Sequence, residues 1–262
     1  MKLGFIGCGN MATAIIKGII KNSNIVSESI YVYDTYKPAM DKLNSELGVT
    51  ACDTNESVIN NCDVLFLAVK PNVLGSVLAD IYTNKPLIIS IAAGKELAFL
   101  AENIGADAAR IVRVMPNINA MVGEAICAYC YNTNVTDKDI ETVEMLLFCF
   151  GKCLYIDESH FSIYSAIGGC APAFAYMFID SLARAGVKNG MKKDEALKIA
   201  AQTVYGSAKM ILENEQHPWK LIDNVCSPGG TTIEGVTSLQ ADGFEAAVHN
   251  AVQKAFEKDK RL

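Results

Sequence analysis

The sequence predicts an α/β chain in which a doubly wound parallel sheet, residues 1–157, is followed by an all-α domain, residues 158–262. Three observations carry this. A short apolar run, Lys2–Ile6, meets a glycine turn, Gly7-Cys8-Gly9-Asn10-Met11-Ala12, and then a helical period in Ala14, Ile15, Ile16, Ile19 and Ile20. Short β-rich runs then alternate with helical segments as far as Ile156. Beyond Asp157 the β-rich runs stop, and the remaining apolar patterns have the helical period.

Strand, tight glycine turn and helix joined by G-x-G-x-x-A form a dinucleotide-binding start of the Rossmann type. Each small residue has a task. Gly7 makes the turn, Gly9 lets backbone approach a pyrophosphate, and Ala12 allows close helix–strand packing. The free N–H groups and positive end of the helix face the anion.

Composition narrows the class. The chain is 51% hydrophobic and 20% charged, which suits a globular protein. A net charge of −6 argues against nucleic acid and anionic membranes as partners. No apolar run reaches the ~18 residues needed to span a bilayer, and no secretion signal precedes the first strand, so a cytoplasmic location is expected. Nine cysteines without such a signal are expected to be reduced thiols. Cys127 and Cys130, followed by Cys149 and Cys153, approach zinc-site spacing. Residues three apart on a strand point to opposite faces, however, so no metal is expected.

The elements follow in order. Ser29–Tyr33 is the second strand and ends in Asp34. This carboxylate lies about 25 positions past the turn, where one accepts from the adenosine ribose hydroxyls. It repels a 2′-phosphate and no Arg follows it, which favours NADH over NADPH; the competing role is to cap the helix that starts near Lys37-Pro38. Gly48–Ala51 is a short strand, and Thr54-Asn55-Glu56 opens a short helix. Asp63–Val69 is a strand buried on both faces and runs into Lys70-Pro71. Pro86–Ser90 runs into Ala92-Ala93-Gly94, and Arg110–Val114 into Met115-Pro116-Asn117. In such sheets ligands sit beyond the carboxyl ends of the strands, and five of these segments lie there. Strand Glu124–Tyr131, a helix Asp137–Cys149 capped by Thr136 and strand Lys152–Ile156 complete the first domain.

The second half reads as helices: Glu158–Val187 broken at Gly168–Pro172, Lys193–Glu213, Pro218–Val225, one following Ser227-Pro228-Gly229-Gly230-Thr231-Thr232, and a last one with an Asp242/Glu245 capping pair. That last helix carries a clean stripe: Phe244, Ala247, Val248, Ala251, Val252, Ala255 and Phe256. The abundance of Ala and Gly in this helical domain, for example Ala183, Ala185 and Gly186, suits close helix approach and interlocking of subunits. The Ser227–Thr232 turn is a second anion-binding helix start, too small for a nucleoside triphosphate and suited to a carboxylate. His160, His217 and His249 are isolated and are read as surface or capping residues.

Six blocks together resemble pyrroline-5-carboxylate reductase: GFIGCGNMATAI at 4–15, FLAVKP at 66–71, RVMPN at 113–117, GGCAPAFAYMFIDSLARAGVKNGM at 168–191, AQTVYGSAKM at 201–210 and DNVCSPGGTT at 223–232. They run in order over almost the whole chain, and the last two are far more specific than the glycine turn. The resemblance implies a Rossmann domain, a helical dimerisation domain, and dimers that assemble further, often into decamers. It implies reduction of 1-pyrroline-5-carboxylate to L-proline by hydride from NADH or NADPH, the last step of proline biosynthesis.

By the same resemblance Gly7, Gly9, Asn10 and Met11 would hold the pyrophosphate, with Ile6 on the cofactor side. Asp34 would meet the adenosine ribose and Asn55 the adenine side. Ala68, Val69, Lys70 and Pro71, with Ala92, Ala93 and Gly94, would take the nicotinamide half, and Asn224 the nicotinamide ribose. Ser227, Thr231 and Thr232 would clamp the substrate carboxylate, with the Thr232 hydroxyl catalytic at the ring nitrogen. Glu158 would lie on the substrate side. One departure stands out: the family's S-G-S-G-P-A-Y is here Gly168-Gly169-Cys170-Ala171-Pro172-Ala173-Phe174, with the two serine hydroxyls and a glycine lost. A β-hydroxyacid dehydrogenase is the enzymatic rival, but its catalytic Lys has no counterpart before Lys188. A regulatory protein of the same fold is the non-enzymatic one.

Overall fold

The computed structural model describes residues 1–261. The first half alternates as expected: β1 (Leu3–Ile6), α1 (Asn10–Asn22), β2 (Ile30–Tyr33), α2 (Lys37–Leu47), β3 (Thr50–Ala51), α3 (Asn55–Asn61), β4 (Val64–Leu67), α4 (Pro71–Leu78), β5 (Leu87–Ser90), α5 (Leu97–Asn103) and β6 (Arg110–Met115). Then come β7 (Ala125–Tyr131), α6 (Asp137–Phe148) and β8 (Gly151–Tyr155). The strands form one sheet in the order β3-β2-β1-β4-β5-β6-β7-β8. The order reverses at β1, the switch point at which such sheets bind ligands.

The sheet is not wholly parallel. β7 runs antiparallel to β6, whereas every other neighbouring pair is parallel. Between β6 and β7 lies only a short 3₁₀ segment, Ile118–Val122, and a parallel return needs a crossover of a dozen or more residues.

Both faces of the sheet are covered, as the continuous apolar strands require. On one face Phe5, Phe66, Ile89 and Val112 pack under Ile15, Ile16 and Ile19 of α1 and Val143 and Leu146 of α6. The Phe5 and Phe66 rings stack with centroids 4.5 Å apart. On the other, Leu65, Leu67, Ile88 and Ile111 pack under Val58, Ile59, Leu74, Leu78 and Leu100 of α3, α4 and α5. α6 begins with a complete capping box: the Thr136 hydroxyl accepts from Asp139 N–H, and the Asp139 carboxylate accepts from Thr136 N–H.

After β8 a 3₁₀ turn, Glu158–His160, leads into α7 (Phe161–Tyr164) and a π-helical turn, Ser165–Cys170. The helices α8 (Ala171–Lys188), α9 (Lys193–Glu213), α10 (Pro218–Val225), α11 (Thr231–Ala241) and α12 (Phe244–Asp259) follow. The glycine block thus falls in a π turn. Asp242 stands at the C-terminal end of α11, and Gly243, at φ 74°, turns the chain into α12, so Asp242 is not a residue that starts the last helix.

The chain forms two compact units: Met1–Gly169 with the residues from Lys258, and Cys170–Glu257. The pattern change at Asp157 therefore precedes the change of packing. Residues 158–169 stay with the sheet because Phe161 is buried against Ala128 and Cys130. In the second unit α8 and α9 meet through Ala183, Ala196 and Ala200, where small side chains bring the backbones close. One expectation is corrected here. The helical stretch Glu158–Lys188, with a mean hydropathy of 1.3, is long and apolar enough by composition to cross a membrane.

Candidate active site

The site starts at the end of β1. Gly7 turns the chain at φ 102°, and a Cβ there would stand 2.5 Å from the Ala68 carbonyl oxygen. Only glycine fits where the loops after β1 and β4 touch. The Gly7 N–H donates to the Tyr33 carbonyl at 2.8 Å, and the Ala68 N–H to the Ile6 carbonyl at 2.8 Å. These bonds hold three strand ends in one row. Gly9 is the opposite case, because among the described residues no heavy atom beyond its own chain neighbours lies within 4 Å of the place its Cβ would take. α1 begins directly after it without a side-chain cap. Its first-turn N–H groups therefore face open space, as a phosphate requires.

A cleft of about 310 Å³ opens at this point, lined by Gly9–Ala12, Ala68–Lys70, Ile91–Ala93, Met115 and Pro116. It joins the ends of β1, β4, β5 and β6. Of the expected cofactor residues, the cleft brings together Gly9, Asn10, Met11, Ala68, Val69, Lys70, Ala92 and Ala93. Ile6 is buried in the core behind it, Pro71 starts α4, and Gly94 turns the following loop at φ 70°. Ile91, Met115 and Pro116 line it too and were outside the expected set, although their places at strand ends were legible. The open side of Gly9, the uncapped helix and the strand-end cleft fit a dinucleotide.

Asp34 lies at the edge of this loop. Its Oδ2 accepts from the Cys8 N–H at 2.7 Å and its Oδ1 from the Tyr36 N–H at 2.8 Å. The N-terminal cap position of α2 is taken by Tyr36, so Asp34 ties β2 to the glycine turn instead of capping that helix. Burial, reinforced by the Asp34 charge, pushes the Cys8 thiol up to about 12. This thiol stays protonated and serves as packing. A second hollow of about 380 Å³ beside Cys8 and Tyr36 carries Lys17 and Lys42. Asn55 lines neither space. It borders a third hollow with Glu56, Asp80 and Tyr82, and its Nδ2 donates to Asp80 at 2.8 Å.

Glu158 has two protein partners. Its Oε1 accepts from the Leu97 N–H at 2.7 Å and from Arg113 Nη1 at 2.8 Å. In the second unit, Gly229 adopts φ 67° and the Gly230 N–H donates to the Ser227 carbonyl at 3.0 Å. The resulting tight turn places the Ser227 hydroxyl 2.3 Å from where a Gly230 Cβ would stand, against the uncapped start of α11. Ser227, Thr231 and Thr232 are thus gathered in one turn. Asn224 donates weakly to Gln216 at 3.4 Å. His217 caps α10 by accepting from the Trp219 N–H. Cys127 faces α1 and α6 while Cys130 faces Phe161, so the two do not converge.

Known proteins match this chain along its whole length. The family model for pyrroline-5-carboxylate reductase dimerisation matches residues 158–262, and that for NADP oxidoreductase coenzyme F420-dependent matches residues 2–94. The pyrroline-5-carboxylate reductase of Escherichia coli is 41% identical over 100% of this chain and 98% of its own length. That of Methanosarcina acetivorans is 39% identical over 100% and 97%. The crystal structure of Plasmodium falciparum pyrroline carboxylate reductase with NADP bound is 37% identical, with a TM-score of 0.88 over 100% of this chain and 97% of that one.

The chain belongs to the pyrroline-5-carboxylate reductase family. It is therefore an oxidoreductase with an N-terminal NAD(P)-binding domain and a C-terminal dimerisation domain. At the first position of the family's S-G-S-G block, the glycine of this reductase matches its surroundings. A Cβ on Gly168 would lie 2.7 Å from the Tyr164 ring, whose hydroxyl donates to the Ile126 carbonyl at 2.7 Å. Tyr164 fills the space that a side chain at position 168 would need. The Gly168 carbonyl accepts from Asn117 Nδ2 at 2.9 Å, which anchors the π turn to the end of β6.

Proposed function

We propose that this chain reduces 1-pyrroline-5-carboxylate to L-proline, the last step of proline biosynthesis. Full-length membership of the family carries the reading. A bound NADH or NADPH supplies the hydride. The imine nitrogen is protonated in water and its carbon is then electrophilic, so the chain contributes mainly orientation. Gly7, Gly9, Asn10 and Met11 hold the pyrophosphate, and the strand-end residues Ala68–Pro71 and Ala92–Gly94 hold the nicotinamide half. Asn55 and Asn224 belong to the adenine and nicotinamide-ribose sides. Ser227 and the N–H groups of Thr231 and Thr232 take the substrate carboxylate. The Thr232 hydroxyl, which bonds no protein group among the described residues, bonds the ring nitrogen in this reading.

NADH is the preferred donor in this reading, because the Asp34 carboxylate stands at the ribose end of the loop and repels a 2′-phosphate. Lys17 and Lys42 line the neighbouring hollow, but both lie within 4 Å of the Glu46 carboxylate there, at 3.7 and 3.8 Å, which offsets part of their charge. The protein works in the cytoplasm with its nine cysteines reduced, and all nine are free thiols. It works as a dimer and in rings of dimers up to a decamer, built on the apolar faces of α8 and α12. The test is loss of reduced-nicotinamide absorbance on adding pyrroline-5-carboxylate with each donor. Turnover to proline supports the function, and no turnover with either donor refutes it. A strong NADPH preference refutes the role given to Asp34.

A further inference from the structure

The loop that carries Ala92, Ala93 and Gly94 is short and held at both ends. At one end β5 finishes at Ser90, and the Ile91 N–H donates to the Leu67 carbonyl at 3.1 Å. At the other, α5 begins at Leu97 with Glu96 in the cap position and no side-chain cap of its own. The Leu97 N–H is instead taken by the carboxylate of Glu158, 61 residues away in sequence, at 2.7 Å. The same oxygen receives Arg113, whose side chain is only 9% exposed and whose guanidinium lies 4.3 Å from the centroid of the Phe161 ring. Arg113 stands in register with Ser90, the residue just before the loop. The loop is thus closed by a charge pair that is set from the strand beneath it.

We propose that Glu158 is a positioning residue for the nicotinamide half of the cofactor: it fixes the Ala92–Gly94 loop through the Leu97 N–H, with Arg113 holding its carboxylate in place. This differs from the substrate-side role that the family resemblance suggests, and the geometry favours it because the bonded oxygen is already shared by two protein donors. Charge-assisted bonds of this kind are short and directional. Nothing in the network touches the glycine turn or Asp34, so the adenosine half of the cofactor should be indifferent to it. The proposal rests on the dinucleotide-binding reading of the cleft.

The experiment compares NADH with ADP-ribose, which lacks the nicotinamide, as ligands for the wild-type protein, Glu158→Gln and the double variant Arg113→Met/Glu158→Met. The double variant removes the buried pair as a unit, since a lone Arg113 would be left charged and unpaired. Calorimetric Kd values, thermal melts and the KM for pyrroline-5-carboxylate are read together. The expected result is a rise of roughly tenfold in the Kd for NADH in the double variant and a smaller rise in Glu158→Gln, the scale of one lost charged hydrogen bond. The Kd for ADP-ribose stays within twofold of wild type, about the spread of such measurements. Equal weakening of both ligands would show general loosening and overturn the proposal, as would unchanged NADH binding with a raised substrate KM, or no change at all. A double variant that does not fold leaves the decision to Glu158→Gln under the same outcomes. Wild-type protein that binds neither ligand would sink the dinucleotide reading itself, a separate failure.

Discussion

Thr232 is the one side chain to which a chemical step is assigned, and among the described residues its hydroxyl bonds no protein group. Its replacement should be felt in turnover far more than in stability. Thr232→Ala is expected to lower kcat/KM by about 10²-fold, the low end of general acid–base contributions, with an unchanged melting temperature. A loss below threefold in steady-state kinetics would remove Thr232 from the mechanism. Asp34 is different, because its carboxylate both holds the Cys8 and Tyr36 N–H groups and carries the charge that opposes a 2′-phosphate. Asp34→Asn keeps an acceptor oxygen and removes the charge. The KM for NADPH is expected to fall by about fivefold relative to that for NADH, the equivalent of removing one like-charge contact of about 1 kcal/mol near the surface. Unchanged KM ratios would separate Asp34 from cofactor choice. At the same scale, burial pushes the thiols of Cys8, Cys62, Cys127 and Cys130 up to about 12. Native protein at neutral pH should therefore leave these thiols unmodified by iodoacetamide in a mass spectrum, since the thiolate is the reactive form.

Among the elements, the π turn at Ser165–Cys170 is the most informative. Its Gly168 is pressed by Tyr164 and bonded by Asn117, so the change that would restore the family's first hydroxyl is not free here. Gly168→Ser is expected to destabilise by about 1–3 kcal/mol through overpacking, read as a lower melting temperature. Adding Tyr164→Ala should recover part of that loss if the ring is the cause. The glycine turn, the Thr136 cap of α6 and the short helix starting at Asn55 were legible from sequence because each is decided by its own few residues. The antiparallel entry of β7 was not, since the period of a strand is the same in either direction and only the length of the link to β6 forbids a crossover. Asp242 was misread for a related reason. A residue between two helices is read locally as starting the second, but the left-handed Gly243 makes it the end of the first.

For the molecule as a whole, the apolar surface of the second unit is the outstanding feature. A hollow of about 520 Å³ is lined by Phe174, Met177, Phe178, Leu182, Phe244 and Val248, and Met177 is 74% exposed. Phe244 and Val248, at the start of the α12 stripe, are exposed beside it, so the hollow and its rim form a contiguous apolar area open to solvent in the monomer. With the dimerisation family model covering residues 158–262, this is the surface expected between copies. Leu182→Glu combined with Val248→Glu should shift sedimentation from oligomer to monomer, and an unchanged sedimentation coefficient would place the interface elsewhere.

The sequence by itself determined the strand–turn–helix start, the order of the strands and helices, the strand ends that line the cleft, and the hydroxyl-rich helix start at Thr231. These depend on period, glycine placement and caps, all of which act over a few residues. Tertiary structure alone decided that Asp34 is tied to the Cys8 N–H, that Glu158 closes the loop before Leu97, that residues 158–169 stay with the sheet, and that Asn55 turns toward Asp80. In each case a polar or aromatic side chain finds its partner far along the chain. No local pattern records such a partner, because it is the packing of both faces of the sheet that brings the two together.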